Sequence, residues 1–287
     1  FERELGAPLG LDVTAAAAAV IRIANTKMAG AIRMVSLSLG MDPRDFALFA
    51  FGGAGPLHAV SLAREMGVPR VVIPCRPGIT NALGCVVADL RHDFVNTVNR
   101  SLENVDMDQV HDIFAAQTEE GKRLIVKEPV EVRDVKRLYS VDMQFVGQTH
   151  LLRVNLPDAQ SSREDLRRLF EEAYFNRFRV ELENIHANLV NVNTSVIGQR
   201  AEMDLSTLID PAGRKSDVTA AEIGHRTVVF DDGPHDTPVF WRDYMPINME
   251  ISGPAIIEQM DCTTLVEPGD VARGDAGGNI IIEVGGL

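Results

Sequence analysis

The chain has 287 residues, 45% of them hydrophobic and 24% charged, with a formal net charge of −13. That length supports a large core and favours more than one domain. The acidic balance argues against non-specific binding to nucleic acid or to an anionic membrane, and the three cysteines, Cys75, Cys85 and Cys262, form no CxxC pair that would indicate a disulfide scaffold or a structural zinc site.

No signal peptide or membrane-length apolar run is visible, because Arg22 and Lys27 interrupt the apolar stretch 15–20. A cytoplasmic protein is expected. The chain opens on Phe1 and leads at once into a helix, so it is expected to be a fragment, a processed product or one piece of a larger protein.

In chain order, Asp12 or Thr14 caps a helix running to about residue 39. Ala17, Ile21, Ala24, Met28, Ala31 and Val35 recur three or four apart and mark the face expected to be buried. Its alanines and Gly30 keep that face thin enough for close packing. Asn25, Lys27 and Arg33 interrupt the pattern as solvated or capping groups or, near a cleft, Lys27 or Arg33 as contacts to an anion. Gly40 ends the helix and Asp42-Pro43 opens a turn. Residues 46–51 read as a buried strand, Gly52-Gly53-Ala54-Gly55 as a turn, and Pro56 opens a helix to Met66. Strand, glycine turn and helix start, in that order, can build an anion site from backbone: glycine lets a bulky ligand approach, and a helix start carries partial positive charge. The same order also makes an ordinary tight turn in an α/β core, and the spacing matches neither GxGxxG nor GxxxxGK[ST]. Gly67-Val68-Pro69 stops the helix, residues 70–74 form a second strand, Cys75-Arg76-Pro77-Gly78 a turn, and a helix through residues 81–84 ends before Asp89. Helix–strand–helix–strand indicates an α/β sheet.

From Arg91 the character changes. Residues 92–98 alternate as a strand, 106–124 form a charged amphipathic helix, and 137–145 with 149–155 read as a hairpin. Ser161 or Ser162 starts a helix to about residue 178, with Glu164 and Asp165 in its first turn. Val190, Val192, Thr194 and Val196 share one face of a strand. Residues 210–223 read as an exposed connector, followed by strands at 227–230, 253–258, 263–266 and 279–284. The domains expected are an α/β segment 1–100, an α+β segment 101–210 and a small β-rich C-terminal unit 211–287.

Several groups could carry chemistry. His58, three residues beyond Gly55, either meets a ligand and moves a proton or is a packed helix histidine. The seven histidines show no HExxH or comparable spacing, so no metal site built wholly from this chain is expected. No GxSxG elbow surrounds any serine. Cys75 beside Arg76 is either a thiol of lowered pKa or structural. Asp89 either binds Mg²⁺ or accepts backbone hydrogen bonds, and Asp261-Cys262-Thr263-Thr264 either lines a cleft or forms a turn.

Four segments together resemble a known family. IANTKMAGAIRMVSLSLGMDPRDFALFAFGGAGPLHA (23–59), VPRVVIPCRPGITNALGCVVADLR (68–91), DMQFVGQ (142–148) and GPAIIEQMDCTTLVEPGD (253–270) resemble, in order, the C-terminal part of the hydantoinase A / 5-oxoprolinase family. The resemblance implies the second domain of an actin-like ATPase fold, related to sugar kinases, with ATP in the cleft between two similar α/β domains. It implies ATP and Mg²⁺ as cofactors and Gly52, Gly53 and Gly55 as the nucleotide loop; Ala54 and Asn81 are further candidate cofactor contacts, and His58, from its place after the glycines, is the candidate catalytic residue. The DxGGT-like loop of the family's first domain is not in this sequence, so the isolated chain is expected to be inactive. The implied activity is ATP-dependent opening of cyclic amides such as hydantoins or 5-oxoproline. The alternatives are a subunit of an acetone- or acetophenone-type carboxylase and a non-catalytic scaffold. Implied partners are the N-terminal ATPase half and a hydantoinase B-type subunit in a hetero-oligomer, with a small-molecule substrate and neither nucleic acid nor membrane.

Overall fold

The computed structural model describes residues 1–180 and 186–286. Along the chain the elements are α1 (Val13–Ser38), β1 (Ala47–Phe49), α2 (Gly55–Met66), β2 (Arg70–Ile73), α3 (Thr80–Val87), β3 (Leu90–Ser101), α4 (Met107–Lys127), β4 (Asp134–Phe145), β5 (Leu152–Leu156), α5 (Arg163–Phe178) and β6 (Ala187–Gln199). Seven strands follow: β7 (Glu222–Phe230), β8 (Gly233–Trp241), β9 (Glu250–Ser252), β10 (Ala255–Gln259), β11 (Cys262–Val266), β12 (Val271–Gly274) and β13 (Ile280–Glu283). They divide into two compact units, Phe1–Val86 with Asp204–Leu287, and Val87–Met203.

In the first unit, the Asp12 carboxylate accepts the Ala15 amide at 2.7 Å and starts α1. Gly40 at φ +66° follows its end, and Gly67 at φ +72° stops α2 by adopting the left-handed conformation that costs glycine least. β1 and β2 pair in parallel, with Leu48 opposite Val71. The sheet then recruits the end of the chain, in the order β1-β2-β13-β12-β9, with β13 antiparallel to β2. A second sheet runs β11-β10-β8-β7. Ala59, Val60, Leu62, Ala63 and Met66 of α2 share one core with Val71 and Ile73 of β2, Ile257 of β10, Val266 of β11 and Ile282 of β13.

Residues 211–287 therefore do not stand apart as a C-terminal unit. β2 needs a partner on its second edge, and Val71 and Ile73 need apolar neighbours; Ile280 and Ile282 supply both. Residues 46–51 are not a buried strand either. β1 is three residues long at the sheet edge, and Phe46, Phe49 and Phe51 are 50%, 50% and 40% exposed. An apolar run does not distinguish a central strand from an edge. The buried side of α1 is rotated from the expected face and shares Met28 with it. Asn25 and Ala29 are buried with Met28 and Ile32 beside them, while Ile21 and Val35 stay exposed.

The second unit is an antiparallel sheet, β3-β6-β4-β5, packed with α4 and α5. Its core holds Phe114 of α4, Leu166 and Phe170 of α5, Val141 and Met143 of β4, and Leu189 and Val192 of β6. A reciprocal capping box between Ser162 and Asp165 starts α5. The expected hairpin forms as β4 and β5, with Tyr139 opposite Leu156. Because β3 pairs along β6, the unit begins at Val87 and not near residue 100.

Candidate functional site

The glycine turn sits in the first unit where three turns meet. The Gly52 amide donates to the Pro77 carbonyl at 2.8 Å, which ties residues 52–55 to the turn Pro77–Ile79. The third turn joins β10 to β11 at Met260 and Asp261. A Cβ on Gly53 would lie 3.2 Å from the Asp261 carbonyl oxygen, and one on Gly78 would lie 1.9 Å from the Asp261 Oδ2. A side chain at Gly78 would therefore require Asp261 to move. Gly52, at φ +82° with nothing within 4 Å of an added Cβ, is required for conformation and opens to free volume. The Asp261 carboxylate accepts no hydrogen bond and forms no salt bridge among the described residues.

Helix α2 leaves this cluster with its positive end toward it. Its N-cap, Ala54, provides no side-chain cap, and Pro56 occupies the first turn. Backbone amides and a helix start make a surface suited to an anion, such as a phosphate group.

The remaining expected site residues separate into those near the turn and those tied elsewhere. His58 lies in the first turns of α2, half-buried, and its Nδ1–H donates to the Asn25 Oδ1 at 2.8 Å. That bond fastens α2 to α1 and leaves the Nε2 lone pair as the ring's basic position. Asn81 is exposed in the first turn of α3, a few residues beyond Pro77, and its side chain makes no hydrogen bond among the described residues. Arg76 turns to the Leu208 carbonyl at 3.2 Å and to Asp243 at 3.0 Å. Arg33 donates to the Glu65 carbonyl, another tie between α1 and α2. In the second unit, Asp89 accepts the Arg200 amide at 2.9 Å, the backbone-acceptor role. It lines a polar cleft of about 580 Å³ with Arg133, Asp134, Gln199, Arg200 and Glu202.

Sequence reasoning missed Arg242. It is 6% exposed and follows β8. Its guanidinium donates to the Ile73 carbonyl at 3.3 Å, the Gly278 carbonyl at 2.9 Å and the Gln259 Oε1 at 3.2 Å, and Gln259 donates to the Cys75 carbonyl at 3.1 Å. Burial pushes its pKa down to about 10. Arg242 thereby braces the ends of β2 and β10 and the start of β13 around the three turns. Nothing in local pattern marks an arginine that will be buried. Burial likewise raises the Cys262 thiol. Among the described residues, no group of three or more His, Cys, Asp or Glu could hold a metal ion, and no single helix is long and apolar enough to cross a membrane.

Comparison with known proteins places these features in a lineage. The family description "Hydantoinase/oxoprolinase" matches residues 1–94, and "Hydantoinase/oxoprolinase C-terminal domain" matches residues 99–277. A Methanocaldococcus jannaschii protein is 30% identical over 98% of this chain and 39% of its own length. Caprolactamase subunit alpha from Pseudomonas jessenii is 31% identical over 93% of this chain and 39% of its own length. The chain therefore spans about two fifths of these relatives. The crystal structure of the ATP-dependent caprolactamase from Pseudomonas jessenii superposes with a TM-score of 0.78 at 30% identity, covering 99% of this chain and 42% of that one. Nucleotide-free acetone carboxylase superposes with a TM-score of 0.73 at 20% identity over 99% of this chain and 42% of that one, a likeness of fold.

Proposed function

From the premise that this chain belongs to the hydantoinase/oxoprolinase family, we propose that it is the second domain of an actin-like ATPase that opens cyclic amides. The observation that carries the reading is the meeting of three turns at the uncapped start of α2, where Gly52 is open to free volume and Gly53 packs against Asp261. These residues fit a phosphate-bearing ligand: main-chain amides, a helix start and no side chain filling the space above Gly52. Gly52, Gly53, Ala54 and Gly55 would hold ATP with Asn81 at the rim. When bound, ATP with Mg²⁺ supplies a phosphoryl group that makes a weakly reactive amide oxygen a leaving group. His58, fixed through Nδ1 by Asn25, would accept or return a proton at Nε2. In this reading the first-domain phosphate loop comes from further family polypeptide, with a hydantoinase B-type subunit completing a cytoplasmic hetero-oligomer. The isolated chain is inactive.

The caprolactamase relationship supports a cyclic amide over a ketone as substrate. The test is ATP hydrolysis by the complete assembly with caprolactam, hydantoin, 5-oxoproline, acetone or acetophenone, with and without bicarbonate. Turnover driven by a cyclic amide is the expected result. Turnover only with a ketone plus bicarbonate assigns a carboxylase instead, and none with any substrate assigns a scaffold. Gly53→Val tests the turn itself. Its added methyls crowd the Asp261 carbonyl and the ligand side of the main chain. Nucleotide affinity, measured by calorimetry on the assembly, is expected to fall at least about tenfold, or 1.4 kcal/mol. Unchanged affinity in a folded variant removes ATP from this turn.

A further inference from the structure

The apolar face written into the sequence of α1 is only partly the face that α1 buries: Met28 packs against the core, while Ile21, Ala31 and Val35 stay exposed. Ala17, Ile21, Ala24, Ala31 and Val35 follow one side of the helix at three- and four-residue spacing, with Val20 and Met34 beside them. Contact with α2 instead uses the neighbouring stripe, where Asn25 meets His58 and Ala29 lies in the core with Met28 and Ile32 against it. Val20, Ile21, Met34 and Val35 are left 41%, 48%, 72% and 63% exposed. Small residues at positions 17, 24 and 31 between larger apolar ones form the groove into which a second helix packs closely.

The sheet of the same unit is also open beside this region of sequence. β1 ends the strand order, so its outer edge has no strand partner among the described residues. The edge carries Ala47, Leu48 and Phe49, with none of the charges, prolines or bulges that normally blunt an exposed strand. A helix face and a strand edge left apolar together indicate a protein partner.

We propose that the Ala24–Ala31–Val35 stripe of α1 docks an apolar helix from the further polypeptide that this family carries. Length points to the occupant. Relatives that match almost all of this chain are covered over only 39% of their own length, so most of each relative lies outside the match. This inference rests on the reading that the chain works with that further polypeptide.

Cysteine accessibility in the native assembly tests it. Ala31→Cys and Val35→Cys lie on the stripe, whereas Thr26→Cys lies on another side of α1, and all three positions are exposed in this structure. Maleimide labelling, resolved by peptide mass from that of Cys85, is expected at least about tenfold slower at 31 and 35 than at 26, as burial under a stable partner requires. Equal rates in an assembly that contains the further family polypeptide overturn the surface and leave the assembly reading intact. A native species without that polypeptide overturns both. Two outcomes assign a different occupant and also overturn the proposal. One is slow labelling in a homodimer identified by light scattering. The other is slowing that appears only with phosphatidylglycerol–phosphatidylcholine vesicles.

Discussion

Arg242 sets two opposing effects against each other. Its charge is buried, and the fall of its pKa to about 10 shows that burial disfavours the charged form. A buried charge can often be replaced by an apolar side chain at little cost, provided its partners are replaced too. Here two partners are the backbone carbonyls of Ile73 and Gly278, which no substitution at 242 can remove. Arg242→Met should therefore destabilise the first unit by about 1–3 kcal/mol, the penalty for buried acceptors left unpaired. Differential scanning calorimetry reads this as a lowered Tm, and an unchanged Tm would show that the carbonyls find other donors. Glu103 works through pH. The Ser101 hydroxyl, then His186, hold its carboxyl down to about 2 from an unfolded value near 4.5. A depressed folded pKa gives stability that is fully present above 4.5 and lost as pH falls toward 2. The urea midpoint should drop over that window in the wild-type chain and less steeply in Glu103→Gln. Neither role is legible in sequence, since each depends on groups brought together by folding; the Gly52–Gly55 turn is legible, because its conformation is local.

Elements with local start and stop signals are the ones that sequence reads correctly. Asp12 starts α1, Gly67 ends α2, and the Ser162–Asp165 box starts α5, each through contacts within three or four residues. β8 escapes because Pro234 and Pro238 argue against a strand. In the structure both lie in the β7–β8 ladder, Pro234 opposite Val229 and Pro238 opposite His225, whereas β10 pairs with β8 only beyond them, at Val239, Phe240 and Trp241. The convergence of the Gly52, Pro77 and Asp261 turns is equally hidden, although each reads as a turn alone. Packing between elements gives a sharper test at Gly121 of α4. A Cβ there would lie 2.4 Å from Val196 Cγ2 and 3.1 Å from the Phe94 ring. Val196 is fully buried in β6, so the helix has to lift or the sheet bend. Gly121→Ala should cost about 1–3 kcal/mol in chemical denaturation, the range for overpacked cores. Adding Val196→Ala should recover part of the loss, because the two sites share one contact. Full additivity would mean that α4 relaxes without pressing on β6.

The way the chain is threaded decides which parts can fold alone. The first unit is discontinuous: Val72 pairs with Ile281, so its sheet cannot close until the chain's end arrives. The second unit is continuous from Val87 to Met203 and closes on itself. Its first strand begins with Leu90 opposite Gly198 near the end of its longest strand, which brings the unit's two ends side by side. Adjacent termini and a private core are the marks of an inserted domain. Residues 87–203 excised as a polypeptide should therefore unfold cooperatively and give dispersed amide signals in NMR. Phe114, Val141, Leu166, Phe170 and Leu189 find their core partners within it. Within residues 1–210 the 1–86 part should not fold natively, although 87–203 does, because β2 loses β13 and the core loses Ile257, Val266, Ile280 and Ile282 together. A molten 87–203 fragment beside a 1–210 fragment whose residues 1–86 give dispersed, protected amide signals would reverse this assignment. It would place the folding nucleus in α1, β1, α2 and β2, where local signals are strongest but half of the core's partners come from the end of the chain.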